Sequence, residues 1–198
     1  MLIETKNQWA RDDPAFVVTE AIFVAIGALA YAVAFLPASV WGYMWSVLYC
    51  VLVDWLLVGI VVASVCCHIS NKYLKSVTSA HAAAQDVEWL YAFDVHCNAF
   101  ICSYTLTYAL QYLLLPLLVH KGVLSSVVAN TLYAVAVVWY AYITHLGYKA
   151  LPFLSNSQVF FWYTLISTVF LWMFLVVIMM MGLQLNICRI VMNYHYGV

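Results

Sequence analysis

The densest group of chemically active side chains lies between positions 86 and 100, in the sequence DVEWLYAFDVHCNAF. It contains the carboxylates of Asp86, Glu88 and Asp94, followed by His96 and Asn98. Carboxylate oxygens and imidazole nitrogens can bind a metal ion or exchange protons. On a helix Asp94 and Asn98 share a face, whereas Asp94 and His96 point apart. Three interpretations stay open: a hydrogen-bonded network, a surface that binds a partner, and a metal site.

Composition indicates the class of protein that must position these groups. The chain has 198 residues, of which 67% are hydrophobic and 8% are charged, against roughly 25% charged residues in a soluble domain. This predicts a membrane protein with several spans. The formal net charge of −1 excludes the basic field that would bind nucleic acid through its phosphates.

Five apolar runs approach or exceed the roughly 20 residues that a helix needs to cross a bilayer. They predict an all-α bundle that forms a single membrane domain over residues 1–198, with spans at 15–36, 40–69, 93–119, 123–146 and 158–183. The loops 1–14, 70–92 and 147–157 then share one side. That side carries most of the basic residues, Lys6, Arg11, Lys72, Lys75 and Lys149, against Lys121 and Arg189 on the other. The positive-inside rule therefore predicts a cytosolic N-terminus and a lumenal C-terminus.

The polar residues inside the predicted spans include Asp54, Gln111 and Asn130. A bare carboxylate in the membrane is costly, so we expect Asp54 to be protonated or hydrogen-bonded, with Asn130 and Gln111 as candidate partners. A proton or ion relay is the alternative. Glu20 lies about a turn and a half inside the first span, from which it can reach the interface, and we interpret it as a structural group or one that extends to the interface.

The cysteines offer no metal-binding or redox motif. Cys50, Cys66, Cys67, Cys97 and Cys102 lie in or beside apolar runs, and none forms a CxxC pair. We interpret them as small buried hydrophobic residues. The sequence predicts no catalytic residue, no metal site and no cofactor.

Four separated strings carry a resemblance to a known family. They are QWARDDPAF at 8–16, ISNKYL at 69–74, DVEW-YAFDVH-NAF at 86–100 and LGY-ALPFL at 146–154. In this order they resemble the Unc-fifty family of Golgi membrane proteins. The resemblance implies about five spans, a cytosolic N-terminus, a role in Golgi trafficking and in surface delivery of nicotinic acetylcholine receptors, and binding of large guanine-nucleotide exchange factors for Arf. It also implies RNA binding for family members.

The chain departs from the family at its front end. Family members carry a longer basic segment before the QWARDDP string, which here begins almost at Met1. We therefore expect an N-terminally short member or a fragment, and we do not expect RNA binding. Membrane lipids, an Arf exchange factor and receptor cargo are the expected partners. The expected location is the Golgi membrane, with the endoplasmic reticulum or the inner nuclear membrane as further possibilities.

Two classes of function are compatible with these features. The first is a non-enzymatic adaptor whose cytosolic face recruits trafficking proteins, and the second is a small membrane transporter or enzyme that uses Asp54 or the pair Asp94 and His96. For the adaptor, the candidate residues form a structural network or a partner surface on the predicted cytosolic side. They are Trp9, Arg11, Asp12, Asp13, Asn71, Tyr73, Asp86, Glu88, Trp89, Asp94, His96, Asn98, Tyr148 and Pro152.

Overall fold

Five long helices and one short helix form the part of the chain that the computed structural model describes, residues 14–76 and 85–197. The long helices are α1 (Ala15–Phe35), α2 (Val40–Tyr73), α3 (Trp89–Leu118), α4 (Val123–Lys149) and α5 (Val159–Met180). The short helix α6 spans Ile187–Tyr196. All five long helices are apolar enough to cross a membrane, which confirms the predicted all-α bundle with five spans.

The lengths and the packing of the helices place the helix ends on two opposite faces of the bundle. At about 1.5 Å per residue, the 21 residues of α1 extend about 32 Å, close to the hydrocarbon thickness of about 30 Å. Each long helix packs against the next one along the chain, α1 also contacts α3, and α6 packs against α4. The helix ends therefore define two faces. The motif face holds the start of α1, the α2–α3 connection and the α4–α5 loop, and the opposite face holds the other ends.

Two helices contain a widened π-helical segment near their middle. The segments are Cys50–Leu57 in α2 and Thr105–Leu110 in α3. Such segments are rare and are often found at functional sites. The α3 segment presents the backbone carbonyl of Tyr108, which accepts a hydrogen bond of 3.0 Å from the Tyr31 hydroxyl. The two widened segments thus lie where α1, α2 and α3 contact the end of α6.

Helix α6 folds back against the bundle from the opposite face. Asn186 caps its first turn by accepting a hydrogen bond of 2.9 Å from the Arg189 backbone N–H, and it donates one of 2.7 Å to the Leu118 carbonyl of α3. Gly197, with a left-handed φ of 69°, comes directly after its last turn. Hydropathy predicts no element after residue 183, because a helix of ten residues is too short to register as a span.

The helices differ in how much of their surface is covered. The side chains of α5 are nearly all partly or fully exposed, with Met179 alone buried among them. An apolar helix with this exposure is expected to face lipid. The enclosed core instead lies between α1, α2, α3 and α4, with a second cluster around α6.

Candidate functional site at the motif face

A two-way amide clamp ties the ISNKYL string to the DVEW string. The Asn71 side chain accepts a hydrogen bond of 2.7 Å from the Val87 backbone N–H and donates one of 3.0 Å to the Val87 carbonyl. Val87 itself is buried. Asn71, on the last turn of α2, therefore fixes the extended residues that lead into α3. The sequence shows the two strings but not this pairing, because their separation of 16 residues carries no periodic signal.

The LGY-ALPFL string joins the same surface through its backbone. Ser155 donates its N–H to the Leu74 carbonyl at 2.7 Å, and Ser76 donates its N–H to the Phe153 carbonyl at 2.9 Å. These bonds flank an isolated antiparallel bridge between Lys75 and Leu154. The chain leaving α2 and the loop after α4 are thereby held edge to edge.

An ion pair and two aromatic contacts complete the junction. The Lys75 ammonium contacts the Asp86 carboxylate, which links the end of ISNKYL to the start of DVEW. Trp89 donates its indole N–H to the Ser64 hydroxyl at 3.0 Å. Tyr91 donates its hydroxyl to the Gly147 carbonyl at 2.6 Å. Three of the four predicted strings thus converge into one structure, which we call the motif surface (residues 69–76, 85–91 and 146–157).

Side chains in the motif surface divide into buried and exposed groups. Tyr148 is fully buried, and its hydroxyl has no hydrogen-bond partner within residues 14–76 and 85–197. Tyr73 is 67% exposed, the Asp86 side chain is 70% exposed, and Pro152 is exposed. Lys72 places its ammonium 5.2 Å from the centre of the Tyr73 ring. Only the exposed group can touch a partner without unfolding the surface.

Asp94 and His96 lie in different environments, as their spacing predicts. His96 is 2% exposed, and its Nδ1 lies 2.7 Å from the Tyr140 hydroxyl of α4. Asp94 instead lines an open cavity of about 410 Å³ between α3 and α4. Asn98 donates its amide to the Asp94 backbone carbonyl at 2.8 Å. In the described ranges these residues do not converge with further His, Cys, Asp or Glu side chains into a group that could hold a metal.

Glu20 is buried inside the bundle, so of its two expected roles the extension to the interface is wrong and the structural role remains. It is 2% exposed. The Trp55 indole N–H and the Cys97 thiol are the side-chain groups that face its carboxylate. Glu20 lies on the inner face of α1 together with Val24 and Ala28. Because this face packs against the bundle, Glu20 is buried although it lies near the start of the helix.

The expected partners of Asp54 are also wrong. Asn130 donates to the Leu185 carbonyl at 2.9 Å and accepts from the Ile187 N–H at 2.9 Å, so it fixes the start of α6. Gln111 is buried and lines a small cavity whose wall includes His195 but not Asp54. The group facing Asp54 is His195 of α6, with Nε2 3.6 Å from Oδ2. The sequence offers no spacing that would pair residues 54 and 195.

The remaining predicted residues are either peripheral or outside the described part. Glu88 precedes the first residue of α3 and is half-buried. Trp9, Arg11, Asp12 and Asp13 lie outside the described residues. Of the QWARDDPAF string, the structure therefore describes only residues 14–16.

The fold and this surface define a polytopic helical membrane protein whose connecting segments form an ordered layer on one face. The profile of the UNC-50 family matches residues 3–196. The chain belongs to the UNC-50 family. No solved structure matches it.

Curated relatives extend this likeness across eukaryotes. The chain is 38% identical over 194 residues to the unc-50 homologue of Dictyostelium discoideum, covering 98% of this chain and 72% of that protein. It is 39% identical over 194 residues to unc-50 of Caenorhabditis elegans, covering 98% and 60%. It is 41% identical over 160 residues to the human unc-50 homologue, covering 79% and 59%. The chain thus spans about three fifths of the nematode and human proteins.

Proposed function

We propose that this protein is a non-enzymatic adaptor of the Golgi membrane that supports vesicle trafficking and the delivery of receptors to the cell surface. Its motif surface faces the cytosol and recruits a large Arf guanine-nucleotide exchange factor. Receptors of the nicotinic acetylcholine type are its cargo. Membership of the UNC-50 family and the one-sided distribution of polar structure support this proposal.

The observation that carries the proposal is the convergence of three separated strings on one face. Asn71, the Lys75–Asp86 ion pair and the hydrogen bonds from Ser155 to the Leu74 carbonyl join segments that are up to 81 residues apart. Ordering such connections costs conformational entropy, and short flexible loops would suffice to join the helices. A rigid outer layer is the form that a docking surface requires, because preorganisation lowers the entropy lost on binding.

The exposed members of this layer match the chemistry of protein interfaces. Tyr73 presents most of its ring, and the neighbouring Lys72 and Asp86 provide charges of both signs. Tyrosine is enriched at interface hot spots, where a few residues carry most of the binding free energy. Mixed charges at the edge help to set partner choice and orientation.

Recruitment in cells tests the proposal. In cells that lack their own family member, the full chain is expressed as wild type, as Tyr73→Ala and as Pro152→Ala, and the Arf exchange factor that co-purifies with it from detergent-solubilised Golgi membranes is quantified. We expect Tyr73→Ala to reduce co-purification about tenfold, corresponding to about 1.4 kcal/mol. Pro152→Ala should reduce it less, because the smaller proline ring offers less area to bury. A second assay tests the orientation in the membrane. If the motif surface faces the cytosol, the 120–122 loop is lumenal, and a glycosylation acceptor inserted there should be modified.

The matched control is Trp41→Ala, an exposed aromatic residue at the start of α2 on the opposite face. It should leave recruitment unchanged. The proposal fails if wild type recruits no exchange factor, if Trp41→Ala and Tyr73→Ala act equally, or if the 120–122 acceptor stays unmodified while one in the α4–α5 loop is glycosylated.

A further inference from the structure

Three different types of metal ligand meet where α6 contacts the widened segment of α2. The Cys50 thiol, the Asp54 carboxylate and the His195 imidazole place their ligand atoms within 4.8 Å of one another. Among residues 14–76 and 85–197, these three form the one group of at least three His, Cys, Asp or Glu side chains that could bind a single metal ion. Sulfur, oxygen and imidazole nitrogen together are a ligand set that Zn²⁺ accepts.

The spacing fits a shared ion better than a direct bond. His195 Nε2 and Asp54 Oδ2 are 3.6 Å apart, which is too long for a hydrogen bond. In a tetrahedral zinc site with bonds of about 2.0 to 2.1 Å, nitrogen and oxygen ligands lie about 3.3 Å from each other. A shift of a few tenths of an ångström would therefore bring both atoms into the first coordination sphere of one ion.

Burial makes an unfilled arrangement costly. Cys50 is 1% exposed, and Asp54 Oδ2 is buried without a hydrogen-bond partner in the described part of the chain. The Cys50 thiol and the His195 imidazole offset only part of the cost of burying this carboxylate, whereas coordination to a cation would offset it more fully. A cavity of about 130 Å³ borders His195, with Tyr108 and Gln111 in its wall, and provides room for water as a fourth ligand.

The surrounding contacts hold the two ligand-bearing helices in place. Arg189 donates to the His120 carbonyl at 2.9 Å and anchors the first turn of α6. The Tyr49 and Tyr194 hydroxyls are 2.7 Å apart, and Tyr196 stacks on Tyr31 at 5.6 Å between ring centres. These bonds flank His195 and the widened turn of Cys50 on both sides. These contacts bring His195 beside Cys50 and Asp54, and an ion bound there would add a direct bond between the last turn of α6 and α2.

We propose that Cys50, Asp54 and His195 form a structural zinc site that fastens α6 to α2. On binding, the Cys50 thiol loses its proton to solvent and coordinates as the thiolate, as zinc ligation requires. The ion holds the last turn of α6 against the bundle. Its loss frees that turn while leaving the five spanning helices intact.

Metal content and the Co²⁺ spectrum of the purified full chain test the site. Protein purified in detergent with reductant and Zn²⁺, then desalted, should retain about one Zn²⁺ per chain. Exchange with Co²⁺ should give an intense thiolate-to-cobalt absorption band, which reports a sulfur ligand in the wild type itself. Cys50→Ser should abolish this band, and Asp54→Asn and His195→Gln should each weaken Zn²⁺ binding at least tenfold. Cys102→Ser and His68→Gln are the matched controls and should bind as wild type.

A second readout reports the docking of α6. The Cys50 thiol is 1% exposed and lies beside His195 of the last turn, so it should resist alkylation in the zinc form. A chelator should increase Cys50 labelling, measured by mass spectrometry, at least fivefold. The proposal is overturned if wild type binds no Zn²⁺, if bound Co²⁺ lacks the thiolate band, or if Asp54→Asn and His195→Gln increase Cys50 labelling while a chelator leaves the wild type unchanged, which would indicate an ion pair only.

Discussion

Gly59 is the position at which a single added methyl group tests the packing of the bundle interior. It lies on α2 and faces α3, where a Cβ would be 2.6 Å from His96 Nε2 and 3.1 Å from Phe93 Cε2. A Cβ contact this short does not occur in real structures, so one side must move. The imidazole cannot swing away freely, because His96 is buried and its Nδ1 lies 2.7 Å from the Tyr140 hydroxyl. We therefore expect Gly59→Ala to separate α2 from α3.

Two opposing effects set how much Gly59→Ala changes the free energy of unfolding. Overpacking a well-filled core costs about 1 to 3 kcal/mol. Alanine in place of glycine inside a helix returns about 0.8 to 1 kcal/mol. Because His96 is held on its far side by Tyr140, the steric cost should lie in the upper part of its range. Gly59→Ala should thus lower the free energy of unfolding by about 1 to 2 kcal/mol.

The assay is unfolding of the purified chain in detergent micelles by SDS titration, followed by circular dichroism. Gly42→Ala is the matched control on the same helix, since the nearest atom that its Cβ meets is 3.7 Å away. It should be neutral or stabilising. In a His96→Ala background, the cost of Gly59→Ala should disappear, giving an interaction free energy of about 1 to 3 kcal/mol. Equal effects of Gly59→Ala in both backgrounds would refute the reasoning.

Two further predictions concern the asparagine clamps, which bond backbone groups at both ends of the bundle. Asn130→Ala should lower the free energy of unfolding by about 2 to 6 kcal/mol, because Asn130 is fully buried and its loss leaves one N–H and one carbonyl without a partner, at about 1 to 3 kcal/mol each. Asn71→Ala should cost only about 1 kcal/mol, since Asn71 is half-buried and water can replace its bonds. SDS titration measures both, and the exposed Asn193→Ala is the control; a larger loss for Asn71 than for Asn130 would contradict the burial argument.

The bundle was predictable because its signal is local and strong. Each span is a run of apolar residues whose length matches the bilayer, and membrane insertion selects for that length regardless of neighbours. The boundary of α3 is different: it begins at Trp89, although hydropathy places the third span from residue 93. The carboxylates of Asp86 and Glu88 directly before this turn lower the local hydropathy, whereas packing against α2 and α4 extends the helix back to Trp89.

Contacts between distant segments were not predictable, because a single sequence carries no pairing information. Asn71 and Asn130 look alike as isolated polar residues, yet one clamps the start of α3 and the other the start of α6. A signal for α6 does exist locally. Asn186 as a helix cap and Gly197 just after the last turn mark both ends of a short helix, in the positions where these residue types favour helix termini.

Helix lengths give the motif surface a defined height relative to the membrane. The 34 residues of α2 extend about 51 Å, against about 30 Å for the hydrocarbon layer. Even a tilt of about 40° lengthens the path through the layer only to about 39 Å, so about 10 Å of α2 must project beyond it. Asp54, which faces His195 near the middle of α2, lies within the bundle, while Asn71 and the exposed Tyr73 lie at the end of the helix on the motif face. Because α1 and α5 are only about 32 Å long, the surface built on α2 should stand above them, where a soluble partner can reach it.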